Sequence, residues 1–298
     1  QMTLRELLQL PQTQNDKPVV AVPLMLGPTD KLTPFAQQLQ AQKPDVVEWR
    51  ADYIADDFSE AVMWQQVKAG AQAALAQKAV SAMTEAKMLA EIDQAQQEFK
   101  ANWPIMNQQI IKELTGSVFD TIGGFPIILT YRTQAQGGKG EMSPLEYTLF
   151  MVNALQAGYH FAAVDVEYTL PAEFREKIMA AARAVGVPVI MSYHDLNETP
   201  DVPVYLADLA ATGADIVKLA VTPHDEADVE RLLLATQAQA AQMTQPLITI
   251  SMGLLGERSR IEGYKYGSEM TFAVLDGQPV SAPGQLTLTA LRAAWQAK

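Results

Sequence analysis

The sequence contains no cysteine. Disulfide frameworks, thiolate zinc sites and cysteine nucleophiles are thereby excluded, and the composition suits a reducing compartment. Histidine is almost as scarce. His160, His194 and His224 are the only three and show no HExxH or similar ligand spacing, so a His-rich metal site is not expected. Basic charge is also short: 22 Lys and Arg face 34 Asp and Glu, a net charge of −12, with no basic run. Nucleic acid selects a basic face and is not an expected partner. The longest apolar run, VVAVPLML at 19–26, falls well short of the roughly 20 residues of a membrane span. The N-terminal QMTLRELLQL lacks the basic-then-apolar order of a signal peptide. The expectation is a cytoplasmic protein that binds a small molecule and neither membrane nor nucleic acid.

What is present is a rhythm. Short β-branched runs recur at 19–24, 45–52, 126–132, 161–167, 188–194, 215–221, 246–252 and 271–275. Between them lie stretches with helical spacing, such as 144–158, 172–186 and 226–240, several closed by glycine. Near-continuous apolar strands alternating with helices imply parallel strands buried on both faces. Six of the seven steps between strand starts run 25–35 residues. Eight such units predict an α/β protein of the (β/α)8 TIM-barrel type, a single domain over 1–298, with a doubly wound open sheet as the alternative. The step from 45 to 126 is the outlier. Its Ala- and Gln-rich sequence, with few turn signals before Trp103-Pro104, predicts two or three extra helices inserted at about 61–120.

In a barrel the chemistry lies at the C-terminal ends of the strands. Polar residues gather there. The second strand ends in Glu48, Arg50 and Asp52, which two-residue spacing puts on one face. The third ends in Thr130 and Arg132, the fourth in Asp165 and Glu167, the fifth in Ser192 and His194. Lys218 is the only lysine inside a predicted strand. A buried ammonium must be paired or give up its proton. It is therefore either the partner of Asp165 or Glu167 or an amine nucleophile. His194, at a strand's end, suits proton transfer. His160 precedes its strand and reads as structural, and His224 as an exposed residue of a helix start. Trp49 and Trp64 read as packing residues, and Asp56, Asp57 and Glu226 as acids at helix N-termini. The glycines of GLLGERSR at 253–260 lack the spacing of a phosphate-binding loop.

These residues carry a resemblance. VVEWRADY (46–53), ILTYRT (128–133), AVDVEY (163–168), VIMSYHDLNETP (189–200), DIVKLAVTP (215–223), ITISMG (248–253), SRIEGYKYGSEMTF (259–272) and SAPGQL (281–286) occur in the order found in the type I 3-dehydroquinate dehydratases. The chain resembles that family over nearly its whole length, with a longer helical stretch at 61–113. The resemblance implies a lyase that dehydrates 3-dehydroquinate to 3-dehydroshikimate through a lysine Schiff base, with neither metal nor cofactor needed. That is the third step of the shikimate route to aromatic amino acids, carried out by a cytoplasmic homodimer. It also implies roles. Lys218 forms the imine and His194 is the general acid and base. Glu48, Arg50 and Arg132 hold ring hydroxyls, Met252 lines the pocket, and Arg260, Ser281 and Gln285 hold the carboxylate. The loop Gly277 to Gln285, punctuated by Pro279, Pro283 and Gly284, reads as a cover for the site.

The sequence departs from the family pattern at Gln136, where a Glu usually orients the catalytic histidine. Gln136 is expected to hydrogen-bond the imidazole without supplying charge. Pro23 stands where some members have Ser. Two other functions share features with this reading. An imine-forming aldolase would keep Lys218 but prefer a phosphorylated substrate, and the EWR and SAPGQ elements oppose it. A non-catalytic binding barrel would have no need of a strand lysine.

Overall fold

Eight parallel strands form the wall of the molecule: β1 (Val19–Leu24), β2 (Val46–Arg50), β3 (Ile127–Thr130), β4 (Ala163–Glu167), β5 (Val189–His194), β6 (Ile216–Val221), β7 (Leu247–Ser251) and β8 (Met270–Val274). The computed structural model describes residues 2–78, 85–280 and 282–297. Each strand lies within two residues of its sequence-based start, and the order is β7-β6-β5-β4-β3-β2-β1-β8. The curled sheet closes where Leu247 of β7 bridges Ser268, just before β8. There Glu269 donates its N–H to Leu247 and accepts from that of Val19. This is the expected (β/α)8 barrel, not an open sheet. A two-residue β9 (Leu286–Thr287), not anticipated from the sequence, extends the sheet beyond β8.

Alternation along the strands sorts residues into two cores. Outward positions such as Val20, Val22, Trp49, Leu129, Val164 and Leu219 pack under the helices. Inward positions begin with Val19, Ala21, Val46, Ile128, Ala163, Ile190, Ile216, Ile248 and Met270, which fill the lower barrel. A short helix α1 (Leu4–Leu7), also unanticipated, plugs that end. Thr3 caps it by accepting from the Glu6 N–H, and the Leu4 N–H donates to the Glu269 carboxylate. Leu4 and Leu8 join the inner core. Their full burial contributes about 1.5–3 kcal/mol each.

The outer layer comprises α2 (Leu32–Gln42), α3 (Glu60–Lys78), α4 (Glu85–Ile122), α5 (Pro144–Leu155), α6 (Ala172–Ala184), α7 (Val202–Ala211), α8 (Glu226–Ala240), α9 (Glu257–Glu262) and α10 (Leu288–Gln296). Helix α5 shows why the sequence places its start there: Ser143 and Glu146 form a reciprocal capping box, with Pro144 in the first turn. The long second step holds α3 and α4. The sequence set Trp103-Pro104 as a turn signal, but α4 runs through Pro104. That exposed proline sacrifices one backbone hydrogen bond while Trp103 on one side and Ile111 on the other stay buried. Trp64, Phe99 and Trp103 form a small core of their own, whereas Ile111, Val118 and Ile122 belong to the barrel core. The second half of α4 is thus the barrel's own helix.

Candidate active site

Further up the barrel the inward positions turn polar. Glu48 and Arg50 point in from β2, Thr130 from β3, Asp165 and Glu167 from β4, Ser192 and His194 from β5, and Lys218 from β6. Arg132 follows just beyond β3. Register levels them: Ser192 pairs with Lys218 and His194 with Ala220 across β5 and β6. One cavity at this end is lined by Glu48, Arg50, Arg132, Gln136, His194, Lys218, Met252, Arg260 and Gln285. These are nine of the expected site residues, and Ser281 lies outside the described residues. Gly137, Leu196, Ala220, Ile250, Phe272, Ala282 and Pro283 complete the wall.

Lys218 is buried but not tightly held. Its Nζ stands 3.7 Å from Glu48 and 3.8 Å from Asp165, beyond charge-assisted hydrogen-bond range. Glu167, the other partner suggested by sequence, is engaged by Arg132 and Thr133. Burial lowers the Lys218 pKa, against the pull of Glu48 and Asp165 and with the help of Arg132 and Arg50. The result is an amine that reaches its neutral, nucleophilic form more readily than a surface lysine.

Beside the lysine lies a dense ionic lattice. Arg132 donates to both oxygens of Asp165 at 3.1 and 3.0 Å, to Glu167 at 3.0 Å and to Ser192 at 3.1 Å. Burial alone would raise the Asp165 pKa, but Arg132 and Lys218 outweigh it and hold it below the usual value. Asp52 departs from the sequence reading. It sits past the strand in a 3-10 turn, Ala51–Tyr53, and folds back to grip Arg50 through two 2.8 Å bonds. It also accepts the N–H groups of Arg132 and Lys139, tying three segments together. Asp56 does more than begin a helix, since it accepts from the Tyr131 hydroxyl and the Glu141 N–H.

His194 is half-buried, and its Nδ1 is covered and has no hydrogen-bond partner among the described residues. Burial first, then Arg132, Lys218, Arg50 and Arg260, push its pKa well below that of a free imidazole. At neutral pH it is a base without a proton. The chain beyond it is fixed by Asp195, which accepts from the Asn197 and Glu198 N–H groups. Gln136 was expected to contact the imidazole. Its Oε1 instead accepts the His194 backbone N–H at 2.7 Å. The turn carrying it, Gln134–Gln136, closes through Gly138, whose N–H donates to Thr133. A Cβ on Gly138 would lie 2.2 Å from the Arg132 carbonyl oxygen, so the turn needs glycine there.

Arg260, on α9, is buried beside the cavity and, among the described residues, is paired with no carboxylate. Its side chain donates to the Pro283 carbonyl at 3.1 Å, and Nε has no partner. Burial pushes its pKa down to about 10. The Pro283 carbonyl also accepts from Gly253, which anchors the 282–285 turn over the cavity. His160 and His224 lie outside the site and are exposed, and His224 meets the Asn197 carbonyl. Phe272 was missed by sequence reasoning. The alternation that turns Met270 inward on β8 also turns Phe272 inward, which was the available signal.

The assembled groups are a nucleophilic amine, a neutral base and an uncompensated cation around one cavity. The family model for type I 3-dehydroquinase matches residues 76–298. The chain is 32% identical over 284 residues to a 3-dehydroquinate dehydratase of Klebsiella pneumoniae subsp. pneumoniae, covering 94% of this chain and 92% of that protein. It is 29% identical over 279 residues to one of Lactiplantibacillus plantarum, covering 93% and 90%. The 3-dehydroquinate dehydratase structure from Enterococcus faecalis superposes over 94% of each chain with a TM-score of 0.69 at 24% identity.

Proposed function

The chain belongs to the type I 3-dehydroquinase family, and from that premise we propose how its residues divide the work. The enzyme eliminates water from 3-dehydroquinate to give 3-dehydroshikimate, a step of the shikimate pathway, through a lysine Schiff base. In our reading the lysine is Lys218. Its neutral amine attacks the ring ketone. The carbonyl oxygen departs as water, carrying one proton from the amine and one that His194 took from the Lys218 ammonium when the amine became neutral. The product is a protonated imine. Neutral His194 then removes the adjacent C–H proton, and the C–H pair flows into the C=N bond to give an enamine. The pair returns, the C–O bond of the β-hydroxyl breaks, and the proton on His194 converts the leaving hydroxide to water. Hydrolysis of the imine frees the conjugated ketone and Lys218.

Glu48, Arg50 and Arg132 hold the ring hydroxyls in this scheme. Asp52 and the Asp165–Glu167 pair fix the two guanidinium groups, so that little order is lost when substrate arrives. Met252 supplies apolar wall. Gln136 positions His194 through its main chain. Arg260 takes the substrate carboxylate, with Ser281 and Gln285 assisting from the covering loop. The observation that carries this assignment is Arg260 itself, a buried cation with no carboxylate partner among the described residues, opening on the same cavity as the amine and the base. An anion there removes the cost of its burial. We also read residues 1–298 as one domain acting as a cytoplasmic homodimer, with the helical insertion, expected at about 61–120, ending where the second half of α4 joins the barrel core.

The test separates binding from chemistry. Arg260→Ala should raise KM with kcat largely kept, because the carboxylate contact exists in ground and transition states alike. His194→Ala should lower kcat by ~10²–10⁴ while leaving imine formation detectable. Turnover is followed by the ultraviolet absorbance of the conjugated product. An unchanged KM in the first variant, or full turnover in the second, contradicts the assignment.

A further inference from the structure

Three neighbours of Lys218 can hold positive charge. Two are carboxylates, Glu48 and Asp165, and both are already engaged: Thr130 donates to Glu48, and Arg132 and Ser192 donate to Asp165. The third is the ring of Phe272, whose centroid lies 4.3 Å from Nζ. Phe272 is 6% exposed on β8 and lines the same cavity. The face of a benzene ring carries negative potential, and a cation within about 6 Å of its centroid is attracted. The ring differs from the carboxylates in one chemical respect: it cannot accept a proton. A carboxylate that closes on an imine N–H can take the proton away, and a ring face cannot.

Resting on the assignment of Lys218 as the imine-forming residue, we propose that Phe272 is a further catalytic residue. Its ring face holds the imine nitrogen in the protonated form that serves as electron sink. The balance at that nitrogen is close. Glu48 from β2, with Asp165 and Glu167 from β4, favours the cation. Arg50 from β2, Arg132 just beyond β3 and protonated His194 from β5 oppose it, and Arg260 of α9 faces the same cavity. A neutral imine can take the C–H electron pair only as an anion on nitrogen, so proton abstraction slows sharply when the nitrogen loses its proton. A desolvated contact of this kind shifts the protonation equilibrium by a factor of about 2 to 30, or about 0.4–1.5 pH units.

The experiment keeps the ring and changes its electrons. In the full chain, Phe272 is replaced in turn by mono-, di- and trifluorophenylalanine, which preserve shape while weakening the face potential stepwise. The pH profile of kcat is measured for each, since it reports groups in the substrate complex. The basic limb is expected to move to lower pH along the series, by up to about one unit, with the acidic limb fixed. Phe272→Tyr should keep the limb, and Phe272→Leu should displace it as trifluorination does. A basic limb that stays put, or one that moves together with the acidic limb, overturns the proposal. Borohydride trapping on the same samples separates the two layers of the argument. An adduct on Lys218 with an unmoved limb rejects the role of Phe272 alone. An adduct on another lysine rejects the assignment of Lys218 and the proposal with it.

Discussion

At the scale of single residues, His194 is defined by what its ring lacks. Among the described residues no carboxylate hydrogen-bonds it and Nδ1 is unpartnered, and burial and the facing cations keep it neutral. A lowered pKa means that the base survives to pH values where an ordinary imidazole, near 6.5, is protonated. The acidic limb of kcat/KM is therefore expected below that value. Gln136→Glu should preserve the bond to the His194 N–H and add a negative charge nearby. That charge favours the imidazolium, so the acidic limb should move to higher pH. NMR titration of the His194 ring in both proteins checks this, and identical pKa values would contradict it. The contact of Gln136 with the main chain was not legible in the sequence. The pattern places Gln136 near His194, but the path of the tight turn through Gly138 decides which atom of His194 it meets.

At the scale of elements, the cover over the site depends on two chain segments touching. Gly284 adopts φ +74, and a Cβ there would stand 2.1 Å from the Gly253 carbonyl oxygen. Gly284→Ala must therefore lift the 282–285 turn. The Pro283 carbonyl would then leave both Gly253 and Arg260. Because the loss falls on binding more than on chemistry, KM should rise about tenfold with a smaller change in kcat. Steady-state kinetics decide it, and unchanged KM would mean that the turn does not contribute to substrate binding. The eight barrel strands were readable because two-residue alternation and buried β-branched runs agree. The plug α1 was not, since a four-residue helix is too short to show periodicity and owes its existence to the barrel end that buries Leu4. Pro104 misled for a related reason: tertiary burial on both sides of it outweighs one lost hydrogen bond.

At the scale of the whole molecule, the barrel is a device for stacking unlike layers. The α1 plug and an apolar floor close one end, and above them the ionic lattice of Arg132, Asp165 and Glu167 shares the upper barrel with the amine and base that face the cavity. The strand-end polar residues made that layering visible in the sequence. The aromatic contact at Phe272 was hidden, because an apolar residue on an apolar strand gives no compositional signal. The central claim is that Lys218 carries the substrate as an imine. The most direct measurement is reduction with borohydride in the presence of 3-dehydroquinate, followed by peptide mass spectrometry. The account predicts one adduct per chain, on the peptide containing Lys218, and none in Lys218→Met. An active enzyme with no adduct, or with the label on a different lysine, would contradict it.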